Sequence, residues 1–155
     1  MLFRSSDLQD LYQEIILDHN RSPRNFRVME DATFSVEGFN PLCGDHYTVY
    51  VKMDGDVVAD VSFEGTGCAI SKASASVMTA TLKGKTREVA EALFARFHDL
   101  VTRKEDVTEE ELEEIGKIGA FVGVRNYPMR VKCATLAWHT MNAALEGDTT
   151  PVTTE

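Results

Sequence analysis

The chain has 155 residues, 43% of them hydrophobic, with 25 acidic against 16 basic side chains and a net charge of −9. That length suits one domain with one core. The acidic balance argues against nucleic acid as the main partner, and no stretch approaches the roughly 20 apolar residues of a membrane span. The opening Met-Leu-Phe-Arg-Ser-Ser-Asp lacks the apolar centre of a secretory signal, so the expected location is cytoplasmic, where thiols stay reduced. Three cysteines cannot close a disulfide framework and need another explanation.

In chain order, Ser6 with Gln9 reads as a capping box. Leu8, Leu11, Tyr12 and Ile15 then share one helical face, which predicts an amphipathic helix from residue 7 to about 19. Ser22-Pro23 ends it. Three alternating stretches follow, carried by Ala32, Phe34 and Val36; by Tyr47, Val49, Val51 and Met53; and by Val57, Ala59, Val61 and Phe63. Period two with one apolar face predicts three half-buried antiparallel strands, and Asp54-Gly55 marks a hairpin between the last two.

After Gly65-Thr66-Gly67 the pattern turns helical. Residues 68–82, rich in Ala, Ser and Thr, read as a closely packed helix that Gly84 terminates. Thr86 caps the next helix, Thr108 with Glu111 forms a capping box for a short acidic one, and Pro128 opens the last. Residues 147–155 read as a disordered tail. The expected fold is α+β: a three-stranded antiparallel sheet with one face covered by about five helices, in a single domain over residues 1–146.

Each cysteine sits near the start of an element. Cys43 lies in Asn-Pro-Leu-Cys-Gly-Asp before the second strand, Cys68 follows Gly-Thr-Gly at a helix start, and Cys133 falls in the first turns of the last helix. Three such junctions can converge at one end of a small domain. The N–H groups and dipole at a helix N-terminus favour a thiolate at Cys68, and Gly65 and Gly67 allow close backbone approach. Lys132 favours an anion at Cys133. Asp45, two residues from Cys43 in an extended stretch, would project to the same side, with His46 pointing away. Three thiolates and a carboxylate suit zinc, and equally iron in a cluster. Each residue also has a plainer reading. Lone cysteines are often small buried hydrophobes, and Gly-x-Gly after a strand is often a turn. His98 and His139 read as exposed. His19 reads as a helix C-terminal histidine, and Arg21, Arg24 and Arg27 as solvated or as a docking patch.

These motifs together resemble the U-type iron–sulfur scaffold family, SufU/IscU, related to the NifU N-terminal domain. The segment Leu17-Asp18-His19-Asn20-Arg21-Ser22-Pro23-Arg24-Asn25-Phe26 is similar to the family's N-terminal signature. Asn40 to Asp45, Gly65 to Ser71 and Arg130 to Trp138 are similar to its three cysteine motifs, so the resemblance runs from about residue 7 to 145. Lys132 stands where IscU-type members carry a histidine. The 64 residues between Cys68 and Cys133 leave room for an insertion at about 100–120, a SufU-type feature.

The resemblance implies zinc held by Cys43, Asp45, Cys68 and Cys133, with Cys43 accepting sulfur from a SufS-type cysteine desulfurase as a zinc-dependent sulfurtransferase. Gly65, Gly67 and Lys132 would support the site, and His19, Arg21 and Arg24 are candidates for partner docking. Downstream iron–sulfur assembly proteins would be further partners. Two alternatives stay open: a scaffold that builds a [2Fe–2S] cluster on the same residues, and a structural zinc module for protein interaction.

Overall fold

Period-two patterning shapes the first half of the chain, and the computed structural model describes residues 5–154, with side chains from residue 7. Helix α1 runs Ser5–Arg21, followed by strands β1 Phe34–Asn40, β2 Asp45–Asp54 and β3 Val57–Thr66. The side chain of Ser6, and with it the expected capping box, lies outside the described residues. Both hairpins are antiparallel, pairing Phe34 with Val51, Asn40 with Asp45 and His46 with Thr66. Val36, Tyr47, Val49, Val51, Val61 and Phe63 all point into the core.

The alternation of β3 departs from the expected one at its start. Val58 is buried while Val57 and Ala59 are exposed. A bulge between Lys52 and Met53 leaves Ala59 without a partner in the ladder. One extra residue reverses the facing of everything before it. Two further corrections concern the sheet. It has four strands, ordered β3-β2-β1-β4, and it is mixed rather than purely antiparallel. The added strand is β4 Val152–Thr153, which lies parallel to β1 inside the segment expected to be a disordered tail. The tail is held because β1 offers a free edge. Thr154 donates its N–H to the carbonyl of Phe39 at 3.0 Å and its hydroxyl to that of Lys132 at 3.3 Å.

The helices cover one sheet face. Helix α2, Ala69–Leu82, is buried along most of its length, including Ser71, Ala73, Ser74, Ala75, Ser76, Val77 and Met78. Its small side chains let α1 and α5 approach closely. Its hydroxyls stay satisfied in the core: Ser74 Oγ donates to the carbonyl of Ala134 at 2.6 Å and accepts from Trp138 Nε1 at 3.3 Å. Helix α5, Pro128–Leu145, lies across β1 and β2 with Trp138 fully buried. Thr86 caps α3, Arg87–Thr102, as the sequence requires. His98 and His139, expected on the surface, pack instead with Phe94, their rings 5.5 Å apart.

Between α3 and α5 the chain forms α4, Glu109–Ile115, and a 3₁₀ segment, Gly116–Asn126, that apolar periodicity did not announce. The capping box of Thr108 and Glu111 is present. Glu111 also receives Arg103 Nη1 at 2.7 Å and Arg96 Nη2 at 2.9 Å, which ties α4 to α3. The Arg103 bond, then the Thr108 N–H, lower the Glu111 carboxyl from an ordinary value of 4.5 to about 2. A carboxyl lowered on folding stabilises the fold fully above its unfolded value, and the contribution fades as pH falls to the folded one. Melting curves of wild type and Glu111→Gln should therefore differ most above about pH 4.5, and the gap should close toward pH 2. An unchanging gap across that range would refute the clasp.

Candidate metal centre

One end of the sheet collects the pieces of the site. Asn40 ends β1 and pairs with Asp45, which begins β2, while Thr66 ends β3 opposite His46. The β1–β2 connection is a tight turn, with the N–H of Cys43 donating to the carbonyl of Asn40 at 3.2 Å and Gly44 at φ 71°. Cys43 therefore reaches Asp45 through a turn, not through the pleat of an extended strand as the spacing suggested. Cys133 arrives from above, on the second turn of α5 and facing the sheet. The sulfurs of Cys43 and Cys133 and a carboxylate oxygen of Asp45 lie within 4.8 Å of one another.

Cys68 adjoins this group through its backbone. It is the N-cap of α2, and its N–H donates to Asp45 Oδ1 at 2.9 Å. Its sulfur accepts from the N–H of Ser71 at 3.4 Å, at the positive end of the helix. Its ligand atom is not among the three mutually close ones.

Asp45 is 2% exposed. Oδ1 also accepts from the Ser71 hydroxyl at 3.1 Å, and Oδ2 faces Asn40 Nδ2 at 3.4 Å. Among the described residues no lysine or arginine pairs with it. A buried carboxylate without a cation costs several kcal/mol, whereas a bound metal ion would compensate it. Cys133, 3% exposed, has its thiol pushed well above the ordinary range, first by burial and then by bonding to Cys43 and Asp45. A divalent cation bound here would replace the proton on the Cys133 thiol. Cys43 is exposed while its two companions are buried. Two sulfurs and one carboxylate with an open side fit a zinc or iron ion.

Sequence reasoning missed the supports. Tyr47, fully buried, shares a hydrogen bond of 2.9 Å with the Ser71 hydroxyl, so a Tyr47–Ser71–Asp45 chain holds the carboxylate in place. Burial raises the Tyr47 phenol, which keeps it protonated. Asn40 reaches Cys133 Sγ at 3.4 Å. Its Oδ1 is buried without a hydrogen-bond partner among the described residues, a cost of about 1–3 kcal/mol. Only the adjacency of Asn40 to the Cys43 motif hinted at it.

Both expected glycines lie in close quarters. Gly65 sits at φ 136°, where an added Cβ would strike the carbonyl of His46. A Cβ on Gly67 would press on Tyr47, on Ser71 and on Asp45 Oδ1, the last at 2.6 Å. The contact that Lys132 makes is through its carbonyl, which receives Thr154. His46 points away, as expected, stacked on Phe39 at 4.2 Å.

The expected docking group is corrected in part. His19 is 3% exposed, with Nδ1 2.7 Å from the Ser76 hydroxyl, so it fastens α1 to α2 rather than facing a partner. Arg24 folds back on the end of α1, with Nη2 donating to Asp18 at 2.6 Å and its N–H to Ser76 at 2.7 Å. Arg21 remains exposed.

Supports of this kind are worth about 10–100-fold in metal affinity. Gly67→Ala should lower affinity for cobalt(II), titrated by its thiolate charge-transfer absorption, by that order. Unaltered affinity would show that the cradle around Asp45 is irrelevant to metal.

The geometry has counterparts among known proteins. The NifU-like N terminal domain matches residues 11–145. The chain is 43% identical over 134 residues to the zinc-dependent sulfurtransferase SufU of Bacillus subtilis, covering 86% of this chain and 88% of that protein. It is 38% identical over 141 residues to the iron–sulfur cluster assembly scaffold protein IscU of Streptococcus pyogenes, covering 91% and 86%. A crystal structure assigned as the SUF-system scaffold protein of Fervidobacterium islandicum superposes with TM-score 0.75 at 38% identity, covering 88% of this chain and 98% of that one. With Cys43, Asp45 and Cys133 gathered where the sheet meets α5, and Cys68 beside them at the start of α2, this chain belongs to the NifU-like N terminal domain family.

Proposed function

We propose that this protein serves iron–sulfur cluster assembly as a zinc-dependent sulfur acceptor, with Cys43 as the acceptor and Cys43, Asp45, Cys68 and Cys133 as the zinc set. One observation supports this above others: the exposed Cys43 thiol meets a buried carboxylate and a buried thiol within 4.8 Å. Cys68 completes the four donors from beside Asp45, to which its N–H is bonded. Zinc, when bound, holds these sulfurs as thiolates at neutral pH. The relative that shares 43% identity is named a zinc-dependent sulfurtransferase.

Each residue then has a part. Asp45, fixed by Ser71 and the Cys68 N–H, orients the donors without reacting. Cys133, at the base of the site, stays in place. Cys43, on the open turn, attacks the outer sulfur of a persulfide carried by a cysteine desulfurase. The new bond joins Cys43 to that sulfur, the old S–S bond breaks, and the desulfurase cysteine departs as a thiolate. A thiolate attacker is needed throughout, which is why free acid at Cys43 would be slow. Cargo passes from the persulfide to later iron–sulfur assembly proteins. Among the described residues no helix is long and apolar enough to cross a membrane, consistent with work in the cytosol, where such thiols stay reduced.

A second reading has its own support. A relative 38% identical is named an assembly scaffold, and the same donors suit a [2Fe–2S] cluster. Anaerobic reconstitution with iron and sulfide separates the two. A stable cluster that passes to an apo-ferredoxin favours the scaffold. A structural zinc module is disfavoured by the carboxylate of Asp45, since structural sites usually close with sulfur or imidazole.

Desulfurase turnover tests the main reading. The zinc-loaded wild type should stimulate a cysteine desulfurase, and Cys43→Ala should leave the desulfurase at its basal rate. Equal stimulation by both proteins would sink the assignment of Cys43.

A further inference from the structure

Asn40 is fully buried, and its side-chain amide stands between two groups of the metal centre. One amide nitrogen, with two hydrogens, donates to Asp45 Oδ2 and to Cys133 Sγ, each at 3.4 Å. The opposite orientation would set a carbonyl oxygen against the Asp45 carboxyl, so that neighbour favours the nitrogen facing it. Cys43 receives nothing from this amide. Its link to Asn40 runs from its own N–H to the Asn40 carbonyl, and Cys43 is the more exposed of the two cysteines.

We propose that Asn40 is a positioning residue that makes the sulfurs of Cys43 and Cys133 unequal: it holds Cys133 and Asp45 as resident ligands and leaves Cys43 as the sulfur that departs and reacts. An N–H donated to a metal-bound sulfur draws charge from it, which lowers its nucleophilicity, while the fixed position of the amide holds that sulfur and the carboxylate in place. The same amide fixes the orientation of the carboxylate. Asn40 closes the last pair of the β1–β2 ladder, with Asp45, so its own position is set by the sheet rather than by the metal. That rigidity makes it a selector and not a follower. The idea rests on the zinc reading above.

The test uses the full chain with Asn40→Leu, which keeps volume and removes the donors, and Asn40→Ala as a smaller companion. Zinc affinity is measured by competition with a chromophoric chelator, and melting is followed with and without zinc. Both variants should bind zinc about 10–100-fold more weakly, with most of the loss of melting temperature confined to the zinc-loaded form. The sulfur-to-cobalt(II) absorption should move to longer wavelength. Iodoacetamide, with sites mapped by mass spectrometry, should modify Cys43 almost alone in zinc-loaded wild type, and the share on Cys133 should rise severalfold in the variants.

Zinc affinity and alkylation pattern matching those of wild type would overturn the assignment of Asn40 while leaving the zinc reading intact. Variants that lose as much stability without zinc as with it, or that fail to fold, would make Asn40 a residue of the core and overturn it as well. A wild type that takes up no zinc would bring down the zinc reading, and this inference with it.

Discussion

A carboxyl group buried with no lysine or arginine paired to it among the described residues is the constraint around which this molecule is arranged. Asp45 sits at the first residue of β2, 2% exposed, and three donors from two other elements reach it. The N-cap of α2 sends an N–H, the first turn of α2 sends the Ser71 hydroxyl, and the end of β1 sends the Asn40 amide. Such donors reduce the penalty of burial but carry no charge to offset it. The fold therefore gathers hydrogen-bond donors from α2 and β1 around one buried carboxyl group, with the thiols of Cys43 and Cys133 beside it.

The surrounding packing keeps that point from relaxing. Helix α2 is lined with small side chains, so it lies close to α1 and α5, and its hydroxyls bind neighbours instead of solvent. His19 ties α1 to Ser76, and Trp138 ties α5 to Ser74. The carbonyl of Lys132, next to Cys133, is joined to Thr154, whose N–H is joined to the end of β1. Beneath the open turn of Cys43 the site is rigid, and the contrast between one exposed sulfur and one buried sulfur follows from these links.

Much of this was legible along the chain. Capping residues at Thr86 and Thr108, Pro128 at the head of α5 and the alternation through Tyr47, Val49 and Val51 are local signals, and they appear where chemistry places them. The resemblance of four separated motifs brought the metal residues forward. Less legible was the phase of β3, because a bulge is a property of two strands and Ala59 looks the same on either side of it. The edge strand Val152–Thr153 was unreadable for a similar reason: two residues form a strand only when an edge waits for them.

The sequence by itself determined the order of β1 to β3 and of the five α-helices, the cysteine and aspartate residue types and their attachment to element ends, because caps, turns and periodicity act over a few residues. Tertiary structure alone decided which sulfur is buried and which exposed. It also decided that Cys43 approaches through a turn, that His19 faces inward, and that Asn40 lies between Asp45 and Cys133. Those outcomes depend on groups 93 positions apart in the chain being brought within 3.4 Å. No local propensity encodes such a distance; only the closing of helix α5 over the end of the sheet does.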